Sequence, residues 1–512
     1  MGVTKYIGAR YMPKFLGDYD ATTEYEALSV VDNGLGTTYV SNKPVPAGTP
    51  LTDTEYWAVY GASSGAILDL QSRMSAAEND IDNLELIMPY VNVKEYGAIG
   101  DGITDDTEAI KSAISNAGSK GVVYFPQGSY YITENITLQD VCLKGCEVLD
   151  STVPIENGST IIIKDNLFVP FLIYKNVTID GIGFYYPNQD GSTVNPLIYP
   201  PTIEYYSSLN VIIKNCVFYN SYQCIAPNSN STAIGRLIFE NILAYGIDNC
   251  ITIKHARDTV TISNCFFTCG VFQDIAITED HYLETYTANN AKAIILESAS
   301  DDLKLSNNLI YGYKYGVYAK SGGSYDMVKI NNCHFDATNC MFYTEADSTL
   351  NNLIINACGI FTQTQWHVGE SYLPAIMLNS TSITCAVISD CNAQLDCPFL
   401  YTAVRQRDMI IANNDIHNIP ANVSAIYIGC TKAVIQGNSI RCGSNTNNKC
   451  IEVNQVPYLV IDGNMLENGA VAFDITSVTD LILANNICVN QATKLTQTNV
   501  GHSYISNNNF TP

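Results

Sequence analysis

The part of the chain best supplied with groups for acid–base chemistry is an acidic segment, Gln273-Asp-Ile-Ala-Ile-Thr-Glu-Asp-His-Tyr-Leu-Glu284. A further acid, Asp248, precedes it in the sequence. Glycoside hydrolysis uses two carboxyl groups, one protonated as the acid and one ionised as base or nucleophile. We therefore predict that Asp248 works with one acid of this segment, the alternative being a solvated acidic loop. The four candidates are Asp274, Glu279, Asp280 and Glu284.

A repeated phrase decides where these acids lie. It reads apolar–x–apolar–x–Asn/Asp/Ala–Asn/Cys/Gly–x–apolar, as in Val211-Ile-Ile-Lys-Asn-Cys-Val-Phe218. It recurs thirteen times, and nine of the twelve intervals between copies are 22 to 26 residues long. Self-similarity at this period predicts a solenoid. The copies begin at Val177, Val211, Leu237, Val260, Leu303, Val328, Leu353, Ala386, Met409, Ala433, Leu459, Leu481 and Ser503.

The residue types in the phrase indicate which solenoid it is. Alternating apolar residues give a short strand with one buried face. The Asn or Gly that follows adopts left-handed backbone readily and turns the chain without a hairpin. A second strand follows, as in Cys250–Ile253, Gly316–Tyr318 and Ala425–Ile428. The connections offer no helix for a leucine-rich horseshoe, so we predict an all-β fold, a right-handed parallel β-helix with stacked, hydrogen-bonded Asn side chains.

The composition excludes several classes of function. A formal charge of −24, with only 15% charged residues, argues against nucleic acid and anionic membrane surfaces as partners. We expect no transmembrane helix and no signal peptide. The seventeen cysteines have no zinc-site spacing, and many share one repeat position, as Cys216 and Cys265 do. We interpret them as small apolar core residues of a chain folded in a reducing cytoplasm, and expect no metal and no cofactor.

Four segments are predicted along the chain. Residues 1–61 form a small β-module of two or three strands, including Tyr39-Val40 and Tyr56-Trp57. Residues 62–89 carry a heptad seam that predicts a coiled-coil helix, with a single amphipathic helix as the alternative; the seam does not separate dimer from trimer. Residues 90–150 cap the β-helix, which occupies 151–512. The seam residues are Ile67, Leu70, Met74, Ala77, Ile81, Leu84 and Met88.

The cap segment contains a helix signal. Asp105 and Glu108 are spaced as an acidic variant of a capping box, and Asp106 adds negative charge at the positive helix end. An apolar stripe then predicts a helix that plugs the open end of the solenoid. The stripe consists of Ile110, Ala113 and Ile114.

The same segment carries a specific family resemblance. The motifs Tyr-Gly-Ala-x-Gly-Asp-Gly-x-Thr-Asp-Asp-Thr-x-Ala-Ile and Val-x-Phe-Pro-x-Gly-x-Tyr, within residues 93–133, resemble the start of the pectate-lyase-like superfamily. That superfamily is common among phage tailspikes and polysaccharide-degrading enzymes, and in it the Asp101, Asp105 and Asp106 cluster is a fold signature. Residues 1–61, with Tyr6-Ile-Gly-Ala-Arg-Tyr-Met-Pro-Lys-Phe15 and Thr54-Glu-Tyr-Trp57, resemble the N-terminal module of phage appendage proteins from Gram-positive hosts. The resemblance implies a homotrimeric virion protein, made in the bacterial host cytoplasm and joined to other virion proteins by its N-terminal module.

A second resemblance concerns Asp248. The segment Gly246-Ile-Asp-Asn-Cys-Ile-Thr-Ile-Lys254 is similar to the Gly-Asp-Asp-Cys-Ile-x-Ile-Lys segment of polygalacturonase-type hydrolases. Asp248 falls on the first carboxylate, but Asn249 replaces the second and has no acid–base capacity. The missing partner would therefore come from the acidic segment. A uronate lyase is the alternative, with a base among Lys254, His255 and Arg257.

Substrate contacts are predicted on long insertions and on second strands. Three intervals between repeat copies exceed 30 residues, and insertions on a rigid coil commonly form binding loops. Sugar rings stack on aromatic faces. We therefore predict a bacterial surface glycan as ligand, with hydrolysis, binding without turnover and lyase chemistry as alternatives, and with subunit packing as another role for the aromatics. The predicted contacts are Lys254, His255, Tyr318, Phe342, Trp366, Tyr372 and Tyr427, with Tyr185, Tyr186, Tyr199, Tyr205 and Tyr206 in the first insertion.

Overall fold

The computed structural model forms two compact units, residues 1–89 and 90–512. We describe each unit by itself. Among the described residues no helix is long and apolar enough to cross a membrane. The structure describes residues 12–61, 72–76, 90–146, 158–189, 196–206, 208–231, 233–268, 286, 290–362, 373–404, 406–443 and 447–511.

The first unit contains a four-stranded sheet, where the sequence predicted two or three strands. The first two strands pair in parallel and the others antiparallel. Trp57 packs with Tyr25 in the core, with ring centroids 5.3 Å apart. Residues 72–76 are helical, and the rest of the predicted coiled coil lies outside the described residues. The strands are Lys14–Asp18, Ser29–Asp32, Thr38–Ser41 and Trp57–Val59.

The second unit is a parallel β-helix whose coils each contribute strands to three ladders, called here A, B and C. Ladder A begins at Tyr90. Its strands are Tyr90–Asn92, Val122–Phe125, Val141–Gly145, Val177–Asp180, Ser208–Lys214, Ile234–Glu240, Ala256–Ser263, Ser300–Ser306, Ser324–Asn331, Thr349–Asn356, Ser382–Ser389, Gln406–Ala412, Cys430–Gln436, Tyr458–Asp462, and the second parts of Val471–Ala484 and Thr493–Ser506.

Ladder B follows ladder A within each coil. Its strands are Asp101–Asp105, Gly128–Ile132, Ser159–Ile163, Ile182–Tyr185, the first parts of Val217–Pro227 and Leu243–Ile253, Phe266–Thr268, Leu309–Tyr311, His334–Asp336, Gly359–Phe361, Asn392–Gln394, Asp415–Ile419, Ser439–Cys442, Met465–Glu467, Ile487–Val489 and Asn509–Thr511.

Ladder C completes the coil. Its strands are Ile136–Leu138, Phe171–Ile173, Ile203–Tyr205, the second parts of Val217–Pro227 and Leu243–Ile253, Lys292–Leu296, Tyr315–Ala319, Cys340–Thr344, Ile376–Leu378, Leu400–Thr402, Ser424–Ile428, Lys449–Asn454, and the first parts of Val471–Ala484 and Thr493–Ser506.

The predicted repeat register is confirmed along ladder A. Val177 pairs in parallel with Val211, and Val211 with Leu237. Every later copy of the phrase pairs with the next at its first residue, down to Leu481 with Ser503. The right-handed parallel β-helix predicted from the repeats is therefore the fold of this unit.

The two successive Asn positions of the phrase have different structural roles. The first one turns the chain with left-handed backbone, as at Asn215 with φ 54°. The second points into the core and forms an amide ladder, in which Asn438 donates to Asn464 and Asn464 to Asn486, each at 2.9 Å. In other coils a buried free cysteine such as Cys391 takes this second position. The predicted amide stacking and the apolar role of these cysteines are both confirmed.

A helix covers the N-terminal end of the core. It spans Thr107–Ala117, with Ile110 and Ala113 fully buried against the first coils, as predicted. The predicted capping box forms only in part: the Asp105 carboxylate accepts from the Thr107 backbone N–H at 3.0 Å, but the N-cap residue is Asp106 and Glu108 pairs with Lys111. The Asp106 carboxylate instead accepts from the backbone N–H groups of the preceding loop, and burial raises its pKa. A 3-10 helix, Val93–Tyr96, precedes that loop.

Candidate active site

All three long insertions leave the solenoid at the same corner, between ladder B and ladder C. The first follows Tyr185, the second follows Thr268 and the third follows Phe361. Each returns to a ladder C strand, the second at Lys292. Because the coils stack, the points at which the insertions leave and re-enter the solenoid lie along one edge of ladder C. The irregular intervals in the sequence thus identified one side of the molecule.

Asp248 lies beside this corner, where the strand Leu243–Ile253 passes from ladder B to ladder C. Its carboxylate is half-buried and faces hydrogen-bond donors. Asn249 Nδ2 lies 3.1 Å from Oδ2, and Gln223 Nε2 from the preceding coil lies 3.4 Å from the same oxygen. The Tyr286 hydroxyl lies 3.4 Å from Oδ1. The carboxylate is therefore held as a hydrogen-bond acceptor on both oxygens.

Tyr286 belongs to the second insertion and connects it to Asp248. Its hydroxyl also lies 3.3 Å from that of Tyr222, and both rings pack on the buried Ile247. Burial raises the pKa of both phenols, so they remain neutral donors at physiological pH. The four predicted carboxylate partners of Asp248 lie outside the described residues, and their role remains a prediction. They are Asp274, Glu279, Asp280 and Glu284.

Lys292 is a site residue that the sequence reasoning missed. It pairs in register with Asn249 and so lies one coil beyond the Asp248 turn. Its ammonium lies 5.0 Å from the centre of the Tyr318 ring. Burial lowers the pKa of Lys292, and the negative charge of Asp248 opposes that effect. The available signal was alignment of the coils across the 43-residue interval from Val260 to Leu303, which a simple count of intervals does not provide.

A row of aromatic and apolar side chains runs along the outward face of ladder C, and its first member, Tyr318, lies beside the Lys292 ammonium. Tyr318 stacks on Tyr343 with centroids 5.2 Å apart, and Tyr401 stacks on Tyr427 at 4.9 Å. Met377 lies between the two pairs. We call this set the aromatic row: Tyr318, Tyr343, Met377, Tyr401 and Tyr427, which pair in consecutive coils.

The far half of the aromatic row opens into a groove of about 510 Å³. Pro374 and Pro398, both at the corner that carries the insertions, form one wall with Met377. Glu452 closes the end and accepts a hydrogen bond from Ser424. The groove combines flat apolar faces with a carboxylate, a surface that suits the two sides of a sugar ring.

Phe342 was wrongly predicted to contact substrate. It is fully buried and pairs with Val317 and Ile376, whereas its neighbour Tyr343 faces outward. Successive residues of a strand point to opposite faces, so the alignment by sequence was displaced by one position. Tyr318 and Tyr427 do lie in the aromatic row as predicted.

The first insertion does not supply the predicted exposed tyrosines. Tyr185, Tyr186, Tyr199 and Tyr205 are buried, and the Tyr186 hydroxyl lies 2.7 Å from Thr202 Oγ1 inside the coil. Tyr186, Tyr199 and Tyr205 belong to the core of these coils, which takes large side chains, whereas Tyr185 packs with Ile162, Val217 and Tyr219 in a separate buried cluster. Only Tyr206 is partly exposed, stacked on Tyr174 at 4.6 Å. Trp366 and Tyr372 of the third insertion lie outside the described residues.

Lys254 and His255 lie away from Asp248, because they follow the far end of the ladder C strand that begins beside it. Six residues of extended strand separate Lys254 from Asp248, up to about 20 Å. The Lys254 ammonium donates to the Ser229 carbonyl at 3.1 Å, and His255 has left-handed backbone at the turn into ladder A. Their expected closeness to Asp248 is therefore wrong. The described residues contain no cluster of three or more His, Cys, Asp or Glu that could hold a metal ion.

Comparison with known proteins agrees with this fold. Residues 90–147 match the family described as rhamnogalacturonase A/epimerase, pectate lyase-like, which confirms the resemblance seen in the cap motifs. The pre-mature gene product 12 of bacteriophage phi29 shares the fold, with a TM-score of 0.51 and 14% identity. That likeness covers 84% of this chain and 58% of the phage chain.

Two curated relatives align with parts of the chain. Plasmin and fibronectin-binding protein A of Streptococcus pneumoniae is 33% identical over 26% of this chain and 21% of its own length. The probable rhamnogalacturonase E of Aspergillus oryzae is 22% identical over 43% of this chain and 58% of its own length. The chain thus spans less than two thirds of either relative.

Proposed function

We propose that the protein is an appendage of a bacteriophage particle that binds a bacterial surface polysaccharide and hydrolyses it. One observation carries this proposal: the aromatic row begins at Tyr318 beside the ammonium of Lys292, and Lys292 pairs with Asn249, the neighbour of Asp248, on the edge where all three insertions emerge. A polysaccharide is a linear ligand, and it matches a linear row of stacking faces beside a carboxylate.

The reaction that fits this arrangement is acid–base hydrolysis. The Asp248 carboxylate accepts from Gln223, Asn249 and Tyr286, so we assign Asp248 as the base or nucleophile. The acid that protonates the departing glycosidic oxygen would come from the second insertion, because Tyr286 of that insertion already reaches Asp248. The leaving sugar takes the proton, and water adds to the other sugar. Tyr286 and Gln223 act as positioning residues.

The relatives support the biological setting of the proposal. Gene product 12 of phage phi29 has the same fold, and curated relatives include probable rhamnogalacturonases. Together with the phage-like N-terminal module, this favours a virion protein that is homotrimeric, is made in the host cytoplasm and is attached to other virion proteins through residues 1–61.

Two observations favour other activities. Asn249 stands where the polygalacturonase segment has its second carboxylate, which favours an adhesin that binds glycan without turnover. Lys292 has a lowered pKa one coil from Asp248, which favours a lyase in which a neutral amine removes a proton beside a uronate. We rank hydrolysis first because the adjoining insertion is rich in carboxylates.

The experiment is a reducing-end assay on wall polysaccharide from the bacterial host. The wild-type protein and Asp258→Asn, which changes an exposed acid near the start of the ladder A strand Ala256–Ser263, should release reducing ends equally. Asp248→Asn should lower the rate by about 10²–10⁴-fold, the usual contribution of a group acting in proton transfer. Binding of polysaccharide by all three proteins with no release by any of them would favour the adhesin. Products that absorb as unsaturated uronides would favour the lyase.

A further inference from the structure

The groove at the far half of the aromatic row has one charged side chain in its lining, among the residues that the structure describes. That side chain is Glu452, which pairs in register with Tyr427 of the preceding coil. A molecule in the groove therefore contacts tyrosine rings and aliphatic carbon, and it meets a carboxylate at the end. The uncharged surface comes chiefly from Pro374, Met377, Pro398, Tyr401 and Tyr427.

The neighbours of Glu452 do not cancel its negative charge. The Lys449 ammonium donates to Glu452 Oε1 at 2.8 Å, and it also lies 2.7 Å from Asp474 Oδ2. Burial favours a lower pKa for Lys449, but the hydrogen bonds to the two carboxylates outweigh burial and raise its pKa, so the amine stays protonated. Two carboxylates thus share one ammonium, which leaves one negative charge at this end of the groove.

The start of the aromatic row shows that its tyrosines accept an ammonium. The Lys292 ammonium lies 5.0 Å from the centre of the Tyr318 ring. A cation within about 6 Å of a ring centre is attracted by the negative face of the ring. In the part of the chain that the structure describes, no lysine or arginine lies over the ring of Tyr401 or Tyr427. Tyr427 has the Glu452 carboxylate as its neighbour instead.

We infer that the groove binds a sugar that carries a protonated amine, such as an amino sugar whose nitrogen is not acetylated. The inference rests on the proposed function and names the chemistry of one unit of the polysaccharide. The ring attracts the cation, and the carboxylate pairs with its charge. The formal charge of −24 acts in the same direction, because it attracts cationic ligands and repels polyanions.

Other sugars fit this groove less well. The carboxylate or phosphate of an acidic sugar would lie beside Glu452, and the ammonium of Lys449 already contacts two carboxylates. A neutral sugar would remove water from Glu452 without supplying a countercharge, which costs free energy. An ammonium compensates for that loss of water, so it is the substituent that the groove favours.

The test compares two ligands with the same backbone, a short glucosamine oligomer and its fully N-acetylated form. Acetylation removes the positive charge of each amine and leaves the sugar rings in place. Calorimetric titration of the full chain, at a pH where the amines are protonated, measures both affinities. The wild-type protein should bind the amine form at least about tenfold more tightly, as expected for an ion pair combined with a ring contact.

Two matched carboxylates separate the groove from the general charge of the protein. Glu452→Gln should reduce the preference for the amine form to about twofold or less, because it removes the paired charge. Glu467→Gln is the control and should retain the wild-type preference. The Glu467 side chain is 24% exposed, as that of Glu452 is, and it pairs with one cation, Arg441, on ladder B. Circular dichroism checks that both variants fold.

Two substitutions at Tyr427 test the contribution of the ring without changing any charge. Tyr427→Phe keeps the aromatic face and should bind the amine form as the wild type does. Tyr427→Leu keeps apolar surface but removes the ring, and it should weaken binding of the amine form by about threefold or more. Equal affinities of the Phe and Leu variants would overturn the role of the ring in this inference.

The outcomes distinguish the amine site from the proposed function. Equal binding of the two oligomers by the wild type, or equal losses in Glu452→Gln and Glu467→Gln, would overturn the amine inference. If the same protein still released reducing ends from host wall polysaccharide, the proposed function would stand. A preference for the amine form that disappears in Glu452→Gln, with wall polysaccharide neither bound nor cleaved, would support the amine site and overturn the proposed function.

Discussion

The Tyr286 hydroxyl lies 3.4 Å from Oδ1 of Asp248, and the two residues are 38 positions apart in the sequence. This contact shows that a chain segment leaving ladder B returns across the start of ladder C before it re-enters the solenoid. An acidic insertion and a half-buried carboxylate are thereby joined by a neutral phenol. The most direct consequences concern the orientation of Asp248.

Tyr286→Phe should lower the turnover number and leave the fold intact. The lost hydrogen bond is long, so we expect a cost of about 1 kcal/mol, roughly a fivefold fall in kcat with little change in KM. Tyr222→Phe is the matched control, because its hydroxyl contacts that of Tyr286 and is connected to Asp248 only through Tyr286. Steady-state kinetics on the host polysaccharide measures both variants. An equal effect of the two substitutions would contradict a positioning role specific to Tyr286.

The second carboxyl group can be found by single amide substitutions in the second insertion. The variants are Asp274→Asn, Glu279→Gln, Asp280→Asn and Glu284→Gln. One of them should lose activity by about 10²–10⁴-fold, as Asp248→Asn does, because both carboxyl groups take part in the same proton transfers. The other three should retain most of the wild-type rate. Full activity in all four would remove the insertion from the catalytic mechanism.

Neighbouring residues on opposite faces of one strand should respond differently to substitution. Tyr343→Ala removes a stacking face of the aromatic row and should weaken glycan binding by about 0.5–1.5 kcal/mol, a factor of 2 to 10, without loss of stability. Phe342→Ala leaves a cavity in the core and should lower the free energy of unfolding by about 3–5 kcal/mol. Calorimetric titration and denaturant unfolding separate the two effects. Selective loss of binding in Phe342→Ala would contradict the assignment of faces.

The buried amide ladder should distinguish alanine from cysteine at one position. The Asn464 amide accepts from Asn438 and donates to Asn486 and to the Ile435 carbonyl. Asn464→Ala leaves the buried partners of this amide without a hydrogen bond. It should lower the free energy of unfolding by about 1–3 kcal/mol for each unsatisfied group. Asn464→Cys should cost less, because a thiol at the equivalent position elsewhere accepts from an asparagine, as Cys333 does from Asn308. Equal destabilisation by the two variants would contradict this account of the ladder.

The fold was predictable because one repeated phrase contains all its determinants. The register between coils could be predicted from the first apolar residue of each copy. The turns could be predicted from the Asn or Gly that follows the alternating apolar residues. The cap helix was predictable from its apolar stripe. The contacts of Asp106 were not, because this carboxylate binds backbone groups of a loop that precedes it by several residues, and local spacing does not reveal such a contact.

The candidate site was predictable only in part. Asp248 and the second insertion were found from a motif and from an interval length. Lys292 was missed because an insertion hides its alignment with Asn249. Phe342 and Tyr343 were confused because a displacement of one residue reverses the face of a strand. The buried tyrosines of the first insertion show that aromatic content alone does not distinguish a wide core from a binding surface.

Cleavage in water enriched in heavy oxygen tests the central claim most directly. Host wall polysaccharide is incubated with wild-type protein or with Asp248→Asn, and the products are examined by mass spectrometry. Hydrolysis predicts that each new reducing end from the wild-type reaction carries one heavy oxygen, and that Asp248→Asn yields almost none. Products that lack the elements of water and carry no label, or a polysaccharide left intact by the wild-type protein that binds it, would contradict the hydrolytic account.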